Sequence, residues 1–254
     1  MIAGNLVRLA VLIALYAWGI WLISTGAVWQ GLLLHLCLVG PLLWGTLNPN
    51  SRLFGPLQRT VSDDRIWLTL DDGPDPVDTP AILELLENHG VKATFFVIGE
   101  KADRYPELIR RIVAEGHQLG NHTYSHPQGK FWSLGPWRTL REIRRCQESL
   151  RSITGEAPEI FRAPVGHHNV FVHPVLRAFG MRLVGWTSRG LDGVEKDASI
   201  VIRRLHQTMA PGSIVLAHES TPIAAEVVAA ILEHAEAKGW EFTSPAAPSS
   251  AQPR

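Results

Sequence analysis

Cysteine is scarce: two in 254 residues. Cys37 lies in an apolar stretch and Cys146 in a predicted charged helix, so no disulfide framework is expected, which fits a reducing compartment. An excess of either charge is also missing, with 24 basic and 24 acidic residues, and this removes nucleic acid as a partner. No internal repeat and no phosphate cradle is visible. Charge is nearly absent from the start of the chain, where Arg8 is the only charged side chain up to Ser51.

That apolar start is the first positive feature. Residues 6–23 are apolar enough to span a bilayer, given the ~20 residues a helix needs. Residues 28–47 are a second candidate, with Gly40-Pro41 as a tolerated kink. Trp18, Trp21, Trp29 and Trp44 lie towards the segment ends, as in an interfacial aromatic belt. A cleaved signal peptide is the competing reading. Its hydrophobic region would be long, and a second apolar stretch follows the small-residue site Ser24-Thr25-Gly26-Ala27. The expectation is therefore a multi-pass membrane hairpin over residues 1–47, in contact with membrane lipid. Arg8 precedes it and Arg52, Arg59 and Arg65 follow, so the positive-inside rule puts both ends and the large domain in the cytoplasm. With a single span, or with the first segment cleaved, the domain faces outward. Residues 48–62, rich in Pro, Gly, Ser and Asn, read as a linker.

The rest is organised around Arg65-Ile66-Trp67-Leu68-Thr69-Leu70-Asp71-Asp72-Gly73-Pro74. An apolar, β-prone run stops at two adjacent carboxylates and a turn signal. Successive strand residues point to opposite faces, so Asp71 and Asp72 can serve different roles. Two acids on a buried strand cost desolvation and like-charge repulsion, which a bound cation relieves. Downstream, predicted helices at 78–88, 106–114, 137–153, 172–178, 198–209 and 222–237 alternate with predicted strands at 93–98, 117–121, 159–162, 182–186, 213–217 and 240–243. This alternation implies a parallel sheet. About seven strands suggest a barrel shorter than the eightfold one. The domain runs over 63–243, and the Ala/Pro/Ser-rich tail 244–254 reads as disordered.

Metal-ligating candidates follow the 117–121 strand. His122 and His126, four apart, are expected on one face of a helical turn, within reach of one ion. Two imidazoles and one carboxylate leave a coordination position open for water. Arg162 and His218 close two further strands on the same rim. His117, His167 and His168 lie nearby and read as supporting or structural. The basic run Arg138, Arg141, Arg144 and Arg145 reads as a solvated face.

Together, Thr69-Leu70-Asp71-Asp72-Gly73-Pro74, His122-Thr123-Tyr124-Ser125-His126, Arg162-Ala163-Pro164-Val165-Gly166 and Leu216-Ala217-His218 resemble the successive motifs of the polysaccharide deacetylase family, the NodB-homology group of carbohydrate esterases (family 4). The resemblance implies a distorted (β/α)7-type barrel, here preceded by the membrane hairpin. It also implies hydrolysis of an N-acyl group, usually N-acetyl, from an amino sugar in a polysaccharide, peptidoglycan or lipid-linked glycan. By the same resemblance Asp72, His122 and His126 would bind one divalent metal, zinc foremost, with cobalt, nickel or manganese as alternatives. Asp71 would be the general base, held by Arg162, and His218 the general acid. The Val165 N–H would stabilise the oxyanion and Leu216 would line the acyl pocket. Pro164, Trp186 and Asp192 would stand on the substrate side.

The chain departs from the family pattern in two places. Val165 replaces a frequent tyrosine. Arg189-Gly190-Leu191-Asp192-Gly193 stands where an Asp-x-x-Asp-Trp motif is common, which changes the expected support of Arg162 and one wall of the sugar groove. The competing function is a non-catalytic, membrane-anchored carbohydrate-binding protein on a decayed barrel.

Overall fold

The computed structural model describes residues 2–244, with side chains from Ile13 on. Two apolar helices come first, α1 (Ile2–Ser24) and α2 (Val28–Leu47), joined by a tight turn at Gly26. They cross closely at Gly19 and Gly31, where a Cβ on Gly31 would meet the Gly19 carbonyl at 2.6 Å. Tyr16 and His35 pack edge to face across the pair, with ring centroids 4.6 Å apart. Among the described residues α2 is long and apolar enough to cross a membrane, and only 11% of its apolar window is buried by the rest of the chain. The described side chains of α1 cover a shorter apolar run, Ile13–Ser24. Of the tail expected to be disordered, residues 245–254 lie outside the described residues.

Beyond residue 66 strands and helices alternate: β1 (Trp67–Gly73), α3 (Asp78–Asn88), β2 (Thr94–Val97), α4 (Gly99–Arg104), α5 (Pro106–Ala114), β3 (Gln118–Asn121), α6 (Pro136–Thr154), β4 (Ile160–Phe161), α7 (Val172–Ala178), β5 (Arg182–Leu183), β6 (Ser188–Arg189), α8 (Ala198–Thr208), β7 (Ile214–His218) and α9 (Ala224–Ala237). The strands form one parallel sheet in the order β5-β4-β3-β2-β1-β7-β6. The expected barrel is there, curled and short-stranded. Residues 48–62, expected to be a linker, lie on it: Gln58 bridges Val184 and Thr60 bridges Ser213, while Ser51 and Leu57 are buried.

Two expectations need correction. The 240–243 stretch makes only an isolated bridge, Ile66 to Phe242. The seventh strand is instead β6, two residues long, and too short to show an alternating pattern in sequence. Helix α4 was also not expected. Its Gly99-Glu100-Lys101 start follows β2 after the single residue Ile98, with no side-chain cap to announce it.

Strand alternation sorts the side chains of the strands onto two faces of the sheet. Leu68, Leu70 and Phe95 face outward, into a large cluster under α3, α5, α8 and α9. Trp67, Phe96, Ile160, Val184, Trp186, Ile214 and Leu216 face inward and fill the lumen. Burying each such side chain stabilises the fold by about 1.5–3 kcal/mol. The inward register of β1 continues from Trp67 through Thr69 to Asp71, which carries the packed lumen up into a polar rim.

Candidate active site

The rim lies at the carboxyl ends of the strands. Asp71 is buried, and its Oδ1 accepts a hydrogen bond from Arg162 Nη1 at 2.8 Å. Just beyond it the β1–β2 register shifts between Asp71 and Gly73, a bulge, and Asp72 takes φ 71°. The bulge cancels the strict alternation expected for neighbouring strand residues. Both carboxylates therefore line one cavity instead of facing opposite sides.

His122 follows β3, and its N–H extends the ladder to the Val97 carbonyl at 3.0 Å. Its ring Nδ1 lies 2.8 Å from the Arg162 carbonyl, which leaves Nε2 free to face Asp72. The helical turn expected for His122–His126 is not formed. Thr123 (φ 68°) and His126 (φ 45°) are left-handed, and the loop is held by its own side chains: Thr123 N–H donates to Asn121 Oδ1, and His126 N–H to Thr123 Oγ1. Such local bonds compete with helix. The outcome is the same, because His126 Nε2 comes within 3.2 Å of Asp72 Oδ1 and His122 Nε2 within 3.4 Å.

These three residues offer ligand atoms within 4.8 Å of one another. Asp72 Oδ1 is buried and makes no hydrogen bond, although two imidazole nitrogens stand beside it. A buried carboxylate oxygen without a partner is costly, and a cation between the three groups would relieve it. The donor set of two imidazoles and one carboxylate suits a divalent metal with open positions. The residues present fit the group.

The electrostatics agree. Burial alone would raise the Asp72 carboxyl, but His122, His126 and His218 outweigh it and hold the group below the usual carboxylate range. Burial, with His122 alongside, pushes His126 down to about 4, so it is neutral with a free lone pair at neutral pH.

Arg162 lies wholly within the lumen and is fully buried. The expected support from an acidic residue is replaced by backbone and hydroxyl acceptors. Nη2 donates to the Gly185 carbonyl at 2.9 Å, Nε to Val184 at 3.4 Å, and Nη1 also to Thr69 Oγ1 at 2.8 Å. The guanidinium sits 4.2 Å over the Phe96 ring. With Asp71 as its charged partner, a planar fork is held in one orientation.

His218 closes β7, and Asp192 is its partner. Asp192 Oδ1 lies 2.9 Å from the ring Nδ1, and Oδ2 accepts the His218 backbone N–H at 2.6 Å. Burial works to lower the imidazole, but the Asp192 carboxylate outweighs it, and the group is raised to about 9. It is charged at neutral pH, with Nε2 left for the pocket.

The cavity, about 270 Å³, is lined by Asp71, Asp72, His122, His126, Val165, Trp186, Leu216 and His218 among others. Arg162 and Asp192 stand behind Asp71 and His218, and Pro164 opens the turn that carries Val165. The other expected residues thus meet at one cavity, whereas Asp192 and Pro164, expected on the substrate side, are buried behind its wall. In that turn Gly166 and His167 donate to the Ala163 and Pro164 carbonyls, while Val165, at φ 49°, is half-exposed at the pocket wall. The other histidines do not join the site. His117 accepts the Ala93 N–H at 3.2 Å at the far end of the sheet, and His168 packs edge to face on Phe54 and His173.

Two residues were not singled out from sequence. Lys101 Nζ donates to the Asp72 carbonyl at 2.7 Å and to Ser220 Oγ at 2.6 Å, pinning the bulge from below. Glu219 is buried, accepts from Thr79 Oγ1, and occupies the space a Cβ on Gly73 would fill. Burial pushes its carboxyl up to about 8. The available signal was an acid directly following the strand-end histidine.

A family model described as polysaccharide deacetylase matches residues 58–184. The chain is 38% identical over 159 residues to a peptidoglycan-N-acetylglucosamine deacetylase of Bacillus cereus, covering 62% of this chain and 56% of that protein. It is 36% identical over 172 residues to a chitooligosaccharide deacetylase of a Bradyrhizobium species, covering 67% and 76%. The solved peptidoglycan deacetylase PdaC of Bacillus subtilis superposes with TM-score 0.66 at 28% identity, covering 71% and 87%. The chain spans little more than half the length of the Bacillus cereus protein.

Proposed function

The chain belongs to the polysaccharide deacetylase family, and we propose that it hydrolyses an N-acyl group, N-acetyl foremost, from an amino sugar. One observation carries this reading: Asp71, the Asp72–His122–His126 cluster and His218 line a single cavity of about 270 Å³. A divalent metal held by Asp72, His122 and His126 would polarise the amide carbonyl and acidify the attacking water.

The chain's own residues account for the proton traffic. Arg162 occupies Asp71 Oδ1, which leaves Oδ2 to accept the proton of the attacking water. The water oxygen bonds to the carbonyl carbon, and the Val165 N–H is the chain's donor towards the oxyanion. Leu216 and Trp186 enclose the acyl methyl and the sugar face and exclude bulk water. The C–N bond breaks as His218 Nε2 gives its proton to the amine, which would otherwise be a poor leaving group. Asp192 keeps that proton on the ring at neutral pH. Carboxylate and free amine are the products.

Residues 63–243 form the catalytic domain in this reading, and residues 1–47 anchor it in a membrane as a two-span hairpin, with the domain on the cytoplasmic side where Arg52, Arg59 and Arg65 lie. An alkaline-phosphatase fusion at the C-terminus that is active, and therefore exported, would overturn that sidedness. A purely carbohydrate-binding protein has no need of an acid held free at Oδ2 beside a metal-ligand cluster.

Acetate released from N-acetylated sugars by the zinc- or cobalt-loaded chain tests the activity. We expect release by the wild type, none by Asp71→Asn with metal content retained, and none by His122→Ala with metal lost. Undiminished turnover by Asp71→Asn would sink the assignment.

A further inference from the structure

The deacylase reading leaves open what carries the sugar. We propose that the substrate is an amino sugar joined through its anomeric phosphate or diphosphate to a membrane lipid; the proposal rests on that reading and narrows it.

The first support is where α2 ends. Its last turn carries Trp44, exposed like most of its apolar surface, and the chain passes at once onto the catalytic rim. A Cβ on Gly166, a wall residue of the catalytic cavity at φ 74°, would meet Pro49 Cβ at 2.6 Å. The Leu47 carbonyl stands against His167, and Asn50 Oδ1 packs against Gly185. A helix fit to cross a bilayer therefore delivers the pocket mouth to the level of the lipid headgroups.

The second support is a cavity of about 430 Å³ between the helix exit and the rim, lined by Asn48, Pro49, Asn50, Trp186, Arg189 and Arg204 among others. It shares Trp186, Arg189 and Leu191 with the catalytic cavity. Arg189 lies over the Trp186 ring at 5.5 Å. Arg204 is committed only loosely, 3.9 Å from Glu195 and 3.3 Å from the Gly190 carbonyl. Two guanidinium groups one wall away from a sugar pocket, at a membrane surface, are the chemistry that recognises a glycosyl phosphate. Arg189 is also where the chain departs from the family's usual acid, which would repel such a group.

The test uses the full, metal-loaded chain in lipid nanodiscs and reads acetate release from three N-acetylglucosamine carriers: prenyl diphosphate-linked sugar in the same disc, soluble N-acetylglucosamine 1-phosphate, and neutral chitotriose. We expect kcat/KM for the lipid-linked sugar to exceed the other two roughly tenfold or more, and Arg189→Gln and Arg204→Gln each to cut the lipid-linked to chitotriose ratio by roughly tenfold, mainly through KM. Chitotriose turned over as well as the lipid-linked sugar, or a ratio unmoved by both substitutions, overturns the proposal while leaving the deacylase intact. Equal use of the soluble sugar phosphate overturns the lipid part. Acetate from none of the three overturns the deacylase reading itself.

Discussion

The two ends of the sheet hold the same kind of residue in opposite states. At the amino end His117 is buried and packs edge to face on Phe95. Burial, with Lys92 adding to it, pushes the imidazole down to about 4, so it stays neutral. At the carboxyl end His218 is partly buried, and although burial works to lower it the Asp192 carboxylate raises it to about 9. The larger cavity, about 1180 Å³, also lies at the amino end, lined by Lys92, His117, Glu159 and Trp240 among others. Among the described residues it brings together no metal-ligand cluster and holds only the loose His89–Glu236 pair at 3.5 Å, whereas the smaller rim cavity holds the Asp72–His122–His126 cluster beside His218. Burial makes a histidine inert unless a charged partner is buried with it, and cavity size is no guide to chemistry.

The sharpest tests of this contrast act on the rim. Asp71→Asn should lower kcat by about 10²–10⁴ with metal content unchanged, since it removes the base alone. A comparable loss from His117→Gln would break the comparison. Phe96→Ala should cost roughly 3–5 kcal/mol of stability by emptying the lumen beneath Arg162, read as a fall in Tm and in denaturant midpoint.

A pH profile separates the two histidines. The folded pKa of His218 lies above its ordinary value, so its proton is kept through neutral pH and lost as pH rises through about 9. Activity should fall over that alkaline range, and Asp192→Asn should move the limb downward by removing the carboxylate that raises it. An unmoved limb would show that another group delivers the proton. Replacing His117 should leave the limb in place and cost about 1–3 kcal/mol, for the Ala93 N–H left unpaired.

The smallest effect concerns Glu219. The unfolded chain ionises it near 4.5, whereas the folded chain keeps the proton to about 8. Folding therefore becomes less favourable as pH rises between those values. Glu219→Gln should raise Tm more at pH 8 than at pH 5.

Much of this was legible in sequence because it depends on local order along the chain. The β-prone run into Asp71-Asp72-Gly73-Pro74 marks β1 and its end, the alternation of strand and helix signals gives the parallel sheet, and each motif follows a strand, so all of them share one rim. The apolar helices up to residue 47 follow from composition alone. What escaped the sequence was set by contacts distant in the chain. A two-residue β6 exists only because β7 pairs with it. The bulge that turns Asp72 beside Asp71 is fixed by Lys101 and by Glu219 under Gly73. The left-handed His122–His126 loop answers to side chains no periodicity reveals. The sequence by itself determined which residues could do the chemistry and in what order they reach the rim. Only the tertiary structure decided their distances, their protonation and the nearness of the helix exit to the pocket, because these depend on burial and on partners from strands far apart in the chain.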